Sequence, residues 1–285
     1  MPVDNITETS KFLTTRRPVL SRRNWIMIAA ILLFLPPLSF LFQLTQDSNF
    51  CGTWCPRMFF VWREGMTLNR FMMGFVRNYM GVALVFGILI STFFMSRYWC
   101  SHICPIGGVT ELGSKLVPEK LKINYSGVPA PYFRYGYLSV FLIAPAVGIG
   151  SLCCSYCNFA TIPRFFGAAF STADFAYFLR SAGLINLALV LVLGFFAKGG
   201  RAYCNLFCPI GALDAVSNRI GAKTKTRVRV DSDKCTACRQ CAEACPTWAI
   251  TVNTTAEIDH LSCIPCRECE QNCSAGAISY EKNKK

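Results

Sequence analysis

The sequence predicts an all-α four-helix bundle in a membrane, built from two parallel helical-hairpin repeats, with a small α+β domain at its C terminus. Three observations support this fold: four long apolar segments, a cysteine motif found once in each half of the apolar region, and two dense cysteine runs after residue 230. The 285 residues are 53% hydrophobic and only 16% charged, which is too apolar for an ordinary soluble domain.

Each of the four apolar segments approaches the roughly 20 residues that a helix needs to cross the hydrocarbon core of a bilayer. They cover residues 25–44, 79–96, 135–152 and 181–197. Pro36 and Pro37 interrupt the first segment, and such prolines are tolerated where neighbouring helices satisfy the freed carbonyl groups. We therefore predict a four-helix transmembrane domain over residues 24–222.

Basic residues indicate the orientation of this domain. The net charge is +13, but the basic residues flank the apolar segments and form no compact patch, so nucleic acid is not an expected partner. They cluster before the first segment and after the second and fourth. This predicts a multi-pass protein of the bacterial inner membrane with both termini, including residues 1–23, in the cytoplasm. SRRNWI at 21–26 resembles a twin-arginine export signal, but its apolar run is too long and no cleavage site follows.

The transmembrane domain contains an internal repeat, over about residues 24–120 and 134–222. Each repeat has one Cys-x3-Cys pair in the loop after its first helix and another, followed by Pro-Ile-Gly, after its second helix. The loop pairs are Cys51 with Cys55 and Cys153 with Cys157, where the adjacent Cys154 leaves one thiol spare. The pairs after the second helices are Cys100 with Cys104 and Cys204 with Cys208. Because each repeat crosses the membrane twice, both have the same orientation and are related by an axis along the membrane normal.

This symmetry predicts two sites of four thiols, one at each end of the bundle. Cys100, Cys104, Cys204 and Cys208, called the four-thiol site below, should meet at the cytoplasmic end. Four thiolates suit a [4Fe–4S] cluster or a structural zinc, and buried inert thiols are the third interpretation. Cys51, Cys55, Cys153 and Cys157, the outer cysteines, should meet at the other end. They could hold a fourth cluster, or form disulfides in the oxidising compartment.

The C-terminal domain, residues 223–285, carries the most specific motif. Two runs match C-x2-C-x2-C-x3-C and resemble the bacterial two-cluster ferredoxin, in which the fourth cysteine of each run ligates the other cluster. The resemblance implies a first ferredoxin site of Cys235, Cys238, Cys241 and Cys273 and a second ferredoxin site of Cys263, Cys266, Cys269 and Cys245. TWAITV and GAISY, which follow the two runs, match the short paired strands of that family. The basic linker 221–230 is expected to contact anionic headgroups, or else to dock an acidic partner.

Together these features resemble the NapH-type membrane ferredoxins, the membrane subunits of quinol dehydrogenases, and the membrane part of NosR-type proteins. The residues that carry the resemblance are those of the four-thiol site and the eight ferredoxin cysteines. It implies [4Fe–4S] clusters and oxidation of quinol from the quinone pool in anaerobic respiration. Electrons would then pass to other respiratory subunits, such as a periplasmic ferredoxin or a c-type cytochrome. The outer cysteines are not part of this pattern.

Other chemistries find less support in the sequence. His102 and His260 are the only histidines and neither lies inside an apolar segment, so a transmembrane haem pair is not expected. A base for quinol oxidation would be a carboxylate, and the candidates are Glu64, Glu111, Asp174 and Asp214. We interpret all four as solvated or helix-turn residues, so no catalytic residue is named. A second hypothesis is a membrane thiol–disulfide exchange protein or metal sensor that uses the outer cysteines. The direction of electron flow stays open.

Overall fold

The computed structural model describes residues 22–41, 79–146 and 156–282. Twelve α-helices lie in these ranges. They are α1 Arg22–Phe34, α2 Leu38–Leu41, α3 Tyr79–Met95, α4 Pro105–Leu116, α5 Ala130–Ala146, α6 Asn158–Gly167, α7 Thr172–Phe178, α8 Ser181–Val190, α9 Ala202–Leu206, α10 Pro209–Ala222, α11 Gln240–Glu243 and α12 Glu268–Gln271. Short π-helical segments, Trp99–Ile103 and Leu191–Phe195, precede α4 and continue α8, and a 3-10 turn covers Glu119–Leu121.

The predicted apolar segments correspond to α1 with α2, to α3, to α5 and to α8 with its π-helical extension. The first is broken at Pro36–Pro37, as expected because proline lacks the amide hydrogen that continues a helix. Within the described ranges, no single helix is both long and apolar enough to cross a membrane. α7 and the segment Ser181–Phe195 pass that test only as a pair, bent by 81°.

The helices pack so that the two repeats share one core. α10, from the second repeat, lies against α3, and α1 lies against α4. Buried apolar side chains of α3, the second π-helical segment and α9 pack in one cluster, for example Ile88, Leu193 and Tyr203. The cysteine motifs therefore lie at the centre of the packed helices.

The C-terminal domain contains two small antiparallel sheets. β1, Thr226–Val230, pairs with β4, Ile278–Lys282, and β2, Ile250–Val252, pairs with β3, Ala256–Ile258. The strands expected in TWAITV and GAISY are therefore present as β2 and β4, but each pairs with a strand outside those two stretches. α10 ends at Ala222, directly before β1 begins.

Half of the basic linker 221–230 forms the strand β1, so the expected contact with anionic headgroups does not extend to all of its basic residues. Arg227 is fully buried and donates to the carbonyl oxygens of Thr92 (2.9 Å) and Phe93 (3.1 Å) at the C-terminal end of α3. Lys225 lies over the ring of Phe94, 5.0 Å from its centroid. The free carbonyls at the end of a helix carry partial negative charge, so this strand is fixed by its own cations to the helical domain.

Candidate metal centre

All four cysteines of the four-thiol site line one cavity. The cavity encloses about 420 Å³, counted out to its mouth, and aromatic side chains of Trp99, Phe159 and Tyr203 complete its wall. Cys100 lies in the first π-helical segment and Cys204 in α9, while Cys104 and Cys208 immediately precede α4 and α10. The structure thus brings together the cysteine pairs of the two repeats, as the symmetry argument predicts.

The Cys-Pro sequence explains how each second thiol is presented. Cys104 and Cys208 are both extended, with ψ of 113° and 117°, and each is the N-cap of a helix whose first residue is proline. Proline suits this first position because its missing amide hydrogen would have no partner there. The amide of Gly211 donates to the Cys208 sulfur at 3.3 Å. A helix N terminus with free amides stabilises a thiolate, which is the form that binds metal.

Two buried ion pairs cross between the repeats around this cavity. Arg97, three residues before Cys100, donates to Asp214 of the second repeat at 3.0 Å. Arg201, three residues before Cys204, donates to Glu111 of the first repeat at 2.8 Å. Each arginine therefore belongs to one cysteine motif and pairs with the carboxylate that follows the other. The interpretation of Glu111 and Asp214 as solvated residues is wrong, since they are 3% and 0% exposed.

Each pair is reinforced by further contacts. Arg23 of α1 binds Glu111 with both terminal nitrogens, at 2.5 and 2.6 Å. Burial alone would raise the pKa of Glu111, but the guanidinium groups of Arg201 and Arg23 lower it to about 2. Asp214 has one cationic partner among the described residues, Arg97, and its second carboxylate oxygen has no hydrogen-bond partner there. The Cys100 thiol donates to the other carboxylate oxygen of Asp214, the one that also accepts from Arg97, at 3.3 Å.

The glycine of each Cys-Pro-Ile-Gly motif provides space for the arginine of the other repeat. A methyl group on Gly107 would lie 1.9 Å from a terminal nitrogen of Arg201. A methyl group on Gly211 would lie 3.2 Å from a terminal nitrogen of Arg97 and 2.7 Å from the Cys204 carbonyl oxygen. The same arginines bind the nearby backbone, Arg201 at the Cys100 carbonyl (2.7 Å) and Arg97 at the Gly211 carbonyl (3.2 Å).

The charges around the cavity suit an anionic group. Arg97 and Arg201 line the cavity, and the buried Arg23 adds a further positive charge beside Glu111. Four thiolates around an oxidised [4Fe–4S] core carry about two negative charges. In the ranges that the structure describes, no three His, Cys, Asp or Glu side chains are grouped to hold a single metal ion. The four-thiol site therefore fits a [4Fe–4S] cluster, which would supply one-electron redox chemistry.

The two ferredoxin sites are also assembled as the family resemblance implies. Cys235, Cys238, Cys241 and Cys273 line a second cavity of about 320 Å³. Cys263, Cys266 and Cys269 lie within electrostatic reach of Cys245 from the other run. Backbone amides donate to several of these sulfurs, for example Ala277 to Cys273 at 3.2 Å and Ala249 to Cys245 at 3.3 Å. Such hydrogen bonds help to set cluster reduction potentials.

The second ferredoxin site faces the four-thiol site, and the first is more open to solvent. Arg97 and Arg134 both donate to the carbonyl of Leu261, two residues before Cys263, at 3.3 and 2.7 Å. Asn205, between Cys204 and Cys208, donates to the carbonyl of Thr247 at 3.2 Å. By contrast, Cys238 of the first ferredoxin site is exposed.

Most of the outer cysteines fall outside the described residues, as do Cys154 and Glu64. Cys157 is described, and it immediately precedes α6. It lies within electrostatic reach of Tyr203 and Cys208, and the next amide, of Asn158, contacts the Tyr203 hydroxyl at 3.3 Å. Cys157 is therefore near the four-thiol site and not at the opposite end of the helices, where the symmetry argument places it.

The remaining candidates are structural. Asp174 lies 3.8 Å from Arg164. His102 stacks on Tyr98, with ring centroids 4.1 Å apart. From the sequence, Glu111 and Asp214 are interpreted only as solvated or helix-turn residues and are not paired with Arg201 and Arg97. Sequence reasoning also missed Arg23 and Arg134, whose positions show no equivalent signal in the repeat.

Comparisons with known proteins support the binding of iron–sulfur clusters by this chain. Residues 77–124 match a family described as a 4Fe-4S binding domain, and residues 200–249 match a 4Fe-4S dicluster domain. The ferredoxin-type protein NapH of Escherichia coli is 27% identical, over 58% of this chain and 54% of its own length. The methylamine utilization ferredoxin-type protein MauN of Methylobacillus flagellatus is 28% identical over 58% and 54%, and YccM of Escherichia coli 25% over 58% and 45%. The chain thus spans about half the length of these curated relatives, and no solved structure matches it.

Proposed function

We propose that this chain is a NapH-type iron–sulfur electron-transfer protein, which lies in the bacterial inner membrane and exchanges electrons with the quinone pool. It would pass them to or from other respiratory subunits, as the membrane subunit of a quinol dehydrogenase. The observation that carries this proposal is the four-thiol cavity, which two helical repeats build jointly beside a ferredoxin domain.

The distribution of exposed apolar side chains supports a membrane location. α1, α3, α5 and α8 each expose large apolar residues, for example Leu32, Phe86, Ile143 and Leu184 at 53%, 53%, 59% and 56%. Among the described residues from 226 to 282, none is of this kind. A belt of apolar side chains on one part of a protein favours contact with lipid. With the basic flanks, this favours a cytoplasmic ferredoxin domain.

A quinol would approach the helical part from the lipid, since it is apolar. The four-thiol site lies among the helices, and the second ferredoxin site is its neighbour. The exposed Cys238 edge of the first ferredoxin site is then the part of the chain that a soluble redox partner can approach.

The test combines iron analysis with quinol titration of the anaerobically purified full chain. Cys204→Ser should lose about four irons and the corresponding electron paramagnetic resonance signal, while the ferredoxin signals stay. Cys238→Ser is the matched control, because it should lose a ferredoxin signal and keep that of the four-thiol site. A quinol such as menadiol should reduce the wild-type clusters. Clusters that stay oxidised with menadiol would refute the quinol step, and unchanged iron in Cys204→Ser would refute the four-thiol cluster.

The thiol–disulfide hypothesis depends on the outer cysteines, most of which lie outside the described residues. That hypothesis predicts that menadiol does not reduce the clusters, so the same titration distinguishes it from the proposal.

A further inference from the structure

We propose that Arg97 and Arg201 are positioning residues that assemble the four-thiol site across the two repeats. The inference rests on the proposed [4Fe–4S] cluster at that site. Each repeat supplies only two of the four thiols, so the site exists only if the repeats are held at the right separation. Packing of apolar side chains alone fixes such a separation loosely, whereas buried ion pairs with defined geometry fix it closely.

The contacts of each arginine match this role. Arg201 lies after the first helices of the second repeat. It pairs with Glu111 of the first repeat and donates to the carbonyl oxygen of the ligand residue Cys100. Arg97 likewise pairs with Asp214 and binds the carbonyl of Gly211, three residues after Cys208. Each arginine is thus in direct contact with the cysteine motif of the opposite repeat.

The surroundings leave these side chains no alternative position. Arg97 and Arg201 are 2% and 1% exposed. Gly107 and Gly211 lie against them where any larger residue would intrude. A guanidinium group enclosed in this way is a fixed spacer, and it also places positive charge beside the thiolates.

The two arginines are not equivalent, and this makes the inference specific. Glu111 keeps a second arginine, Arg23, if Arg201 is removed. Asp214 has Arg97 as its one cationic partner among the described residues. Loss of Arg97 therefore leaves an unpaired buried carboxylate 3.3 Å from the Cys100 sulfur, where a second negative charge opposes a thiolate.

Arg227 provides a matched control. It is equally buried, but among the described residues its hydrogen bonds go to carbonyl oxygens outside the cysteine motifs, those of Thr92, Phe93, Phe94, Asn218 and Thr226. Replacing it with glutamine should disturb packing to a similar degree without touching the four-thiol site.

The experiment is reconstitution of the full-length apoprotein with limiting ferrous iron and sulfide, followed by electron paramagnetic resonance of the reduced clusters. The signal of the first ferredoxin site is the internal reference, because Arg97 contacts the Leu261 carbonyl beside the second ferredoxin site. Arg97→Gln should lower occupancy of the four-thiol site roughly tenfold or more, which is the usual cost of removing a partner that orients a metal ligand. Arg201→Gln should lower it less, and its remaining cluster should have a lower reduction potential because a positive charge is lost. Arg227→Gln should leave both the occupancy and the potential unchanged.

The double variant Arg97→Gln with Asp214→Asn should recover part of the occupancy lost in Arg97→Gln, because the unpaired carboxylate is removed with its partner. Equal occupancy in Arg97→Gln and Arg227→Gln, whether both are low or both are normal, would overturn the inference. A four-thiol signal that is absent from the wild type as well would instead count against the cluster itself, and with it the inference.

Discussion

Replacing Gly107 with alanine is the smallest change that tests the crossed arrangement of the repeats. The new methyl group would lie 1.9 Å from a terminal nitrogen of Arg201 and 2.9 Å from its central guanidinium carbon. Arg201 would have to leave Glu111 and the Cys100 carbonyl, which it binds at 2.8 and 2.7 Å. Because Arg201 is only 1% exposed, it cannot turn into solvent without opening the core.

The expected cost follows from these contacts. Breaking a buried charged pair by displacing one partner costs about 3–5 kcal/mol. Alanine in place of glycine inside a helix stabilises the folded state by about 0.5–1 kcal/mol. We therefore expect a net loss of about 3 kcal/mol. For a chain of this size, that corresponds to a fall of roughly 6 °C or more in the unfolding midpoint.

The assay is thermal unfolding of the purified protein in detergent, followed by tryptophan fluorescence, with iron content measured on the same samples. Gly87→Ala in α3 is the matched control, because nothing lies within 4 Å of the added methyl group. The control should be as stable as the wild type or slightly more so, and should keep its iron. If Gly107→Ala unfolds at the same temperature as Gly87→Ala and keeps all its iron, the arginine does not occupy the position described here.

Three further predictions concern pH, iron and topology. The difference in the free energy of unfolding between wild type and Glu111→Gln should be constant from pH 8 to 5, because the pKa of Glu111, lowered to about 2, keeps the side chain ionised there. The difference should shrink only as the pH falls below the usual pKa of 4.5. A change already between pH 7 and 5, measured in denaturant titrations, would contradict this. Total iron in the anaerobic chain should be roughly sixteen per molecule if the outer cysteines hold a fourth cluster, whereas roughly twelve, with those thiols resistant to alkylation until reduced, would show disulfides. A reporter fused after residue 285 should be active only in the cytoplasm, and periplasmic activity would reverse the orientation.

The grouping of the cysteines could be predicted from the sequence because it depends on spacing and repetition. The Cys-x3-Cys-Pro-Ile-Gly motif fixes the local backbone, and a repeat in the same orientation brings equivalent positions together. The fit of Cys100 and Cys104 with Cys204 and Cys208 around one cavity follows from these two facts.

The contacts between elements could not be predicted in the same way. Arg97 and Asp214 are separated by 117 residues, and no local pattern states that an arginine pairs with the opposite repeat. Cys157 lies near Cys208, which neither the spacing of the cysteines nor the length of an apolar segment can show. The linker around Arg227 does alternate, as T-R-V-R-V, which is a strand pattern, but its charge favoured an interpretation as a surface segment.

The crossed pairs also constrain how the protein is made. The ribosome synthesises Arg97, Cys100 and Cys104 long before Asp214, Cys204 and Cys208. The first repeat is therefore complete while its arginine and its two thiols still lack the partners that the second repeat provides. Iron can be held by all four thiols of this site only after the second repeat has been synthesised. We expect a chain that stops at residue 200 to carry no stable iron at Cys100 and Cys104, and to be degraded faster than the full chain in pulse-chase labelling. Stable iron in that fragment would mean that biogenesis of the site begins with one repeat alone.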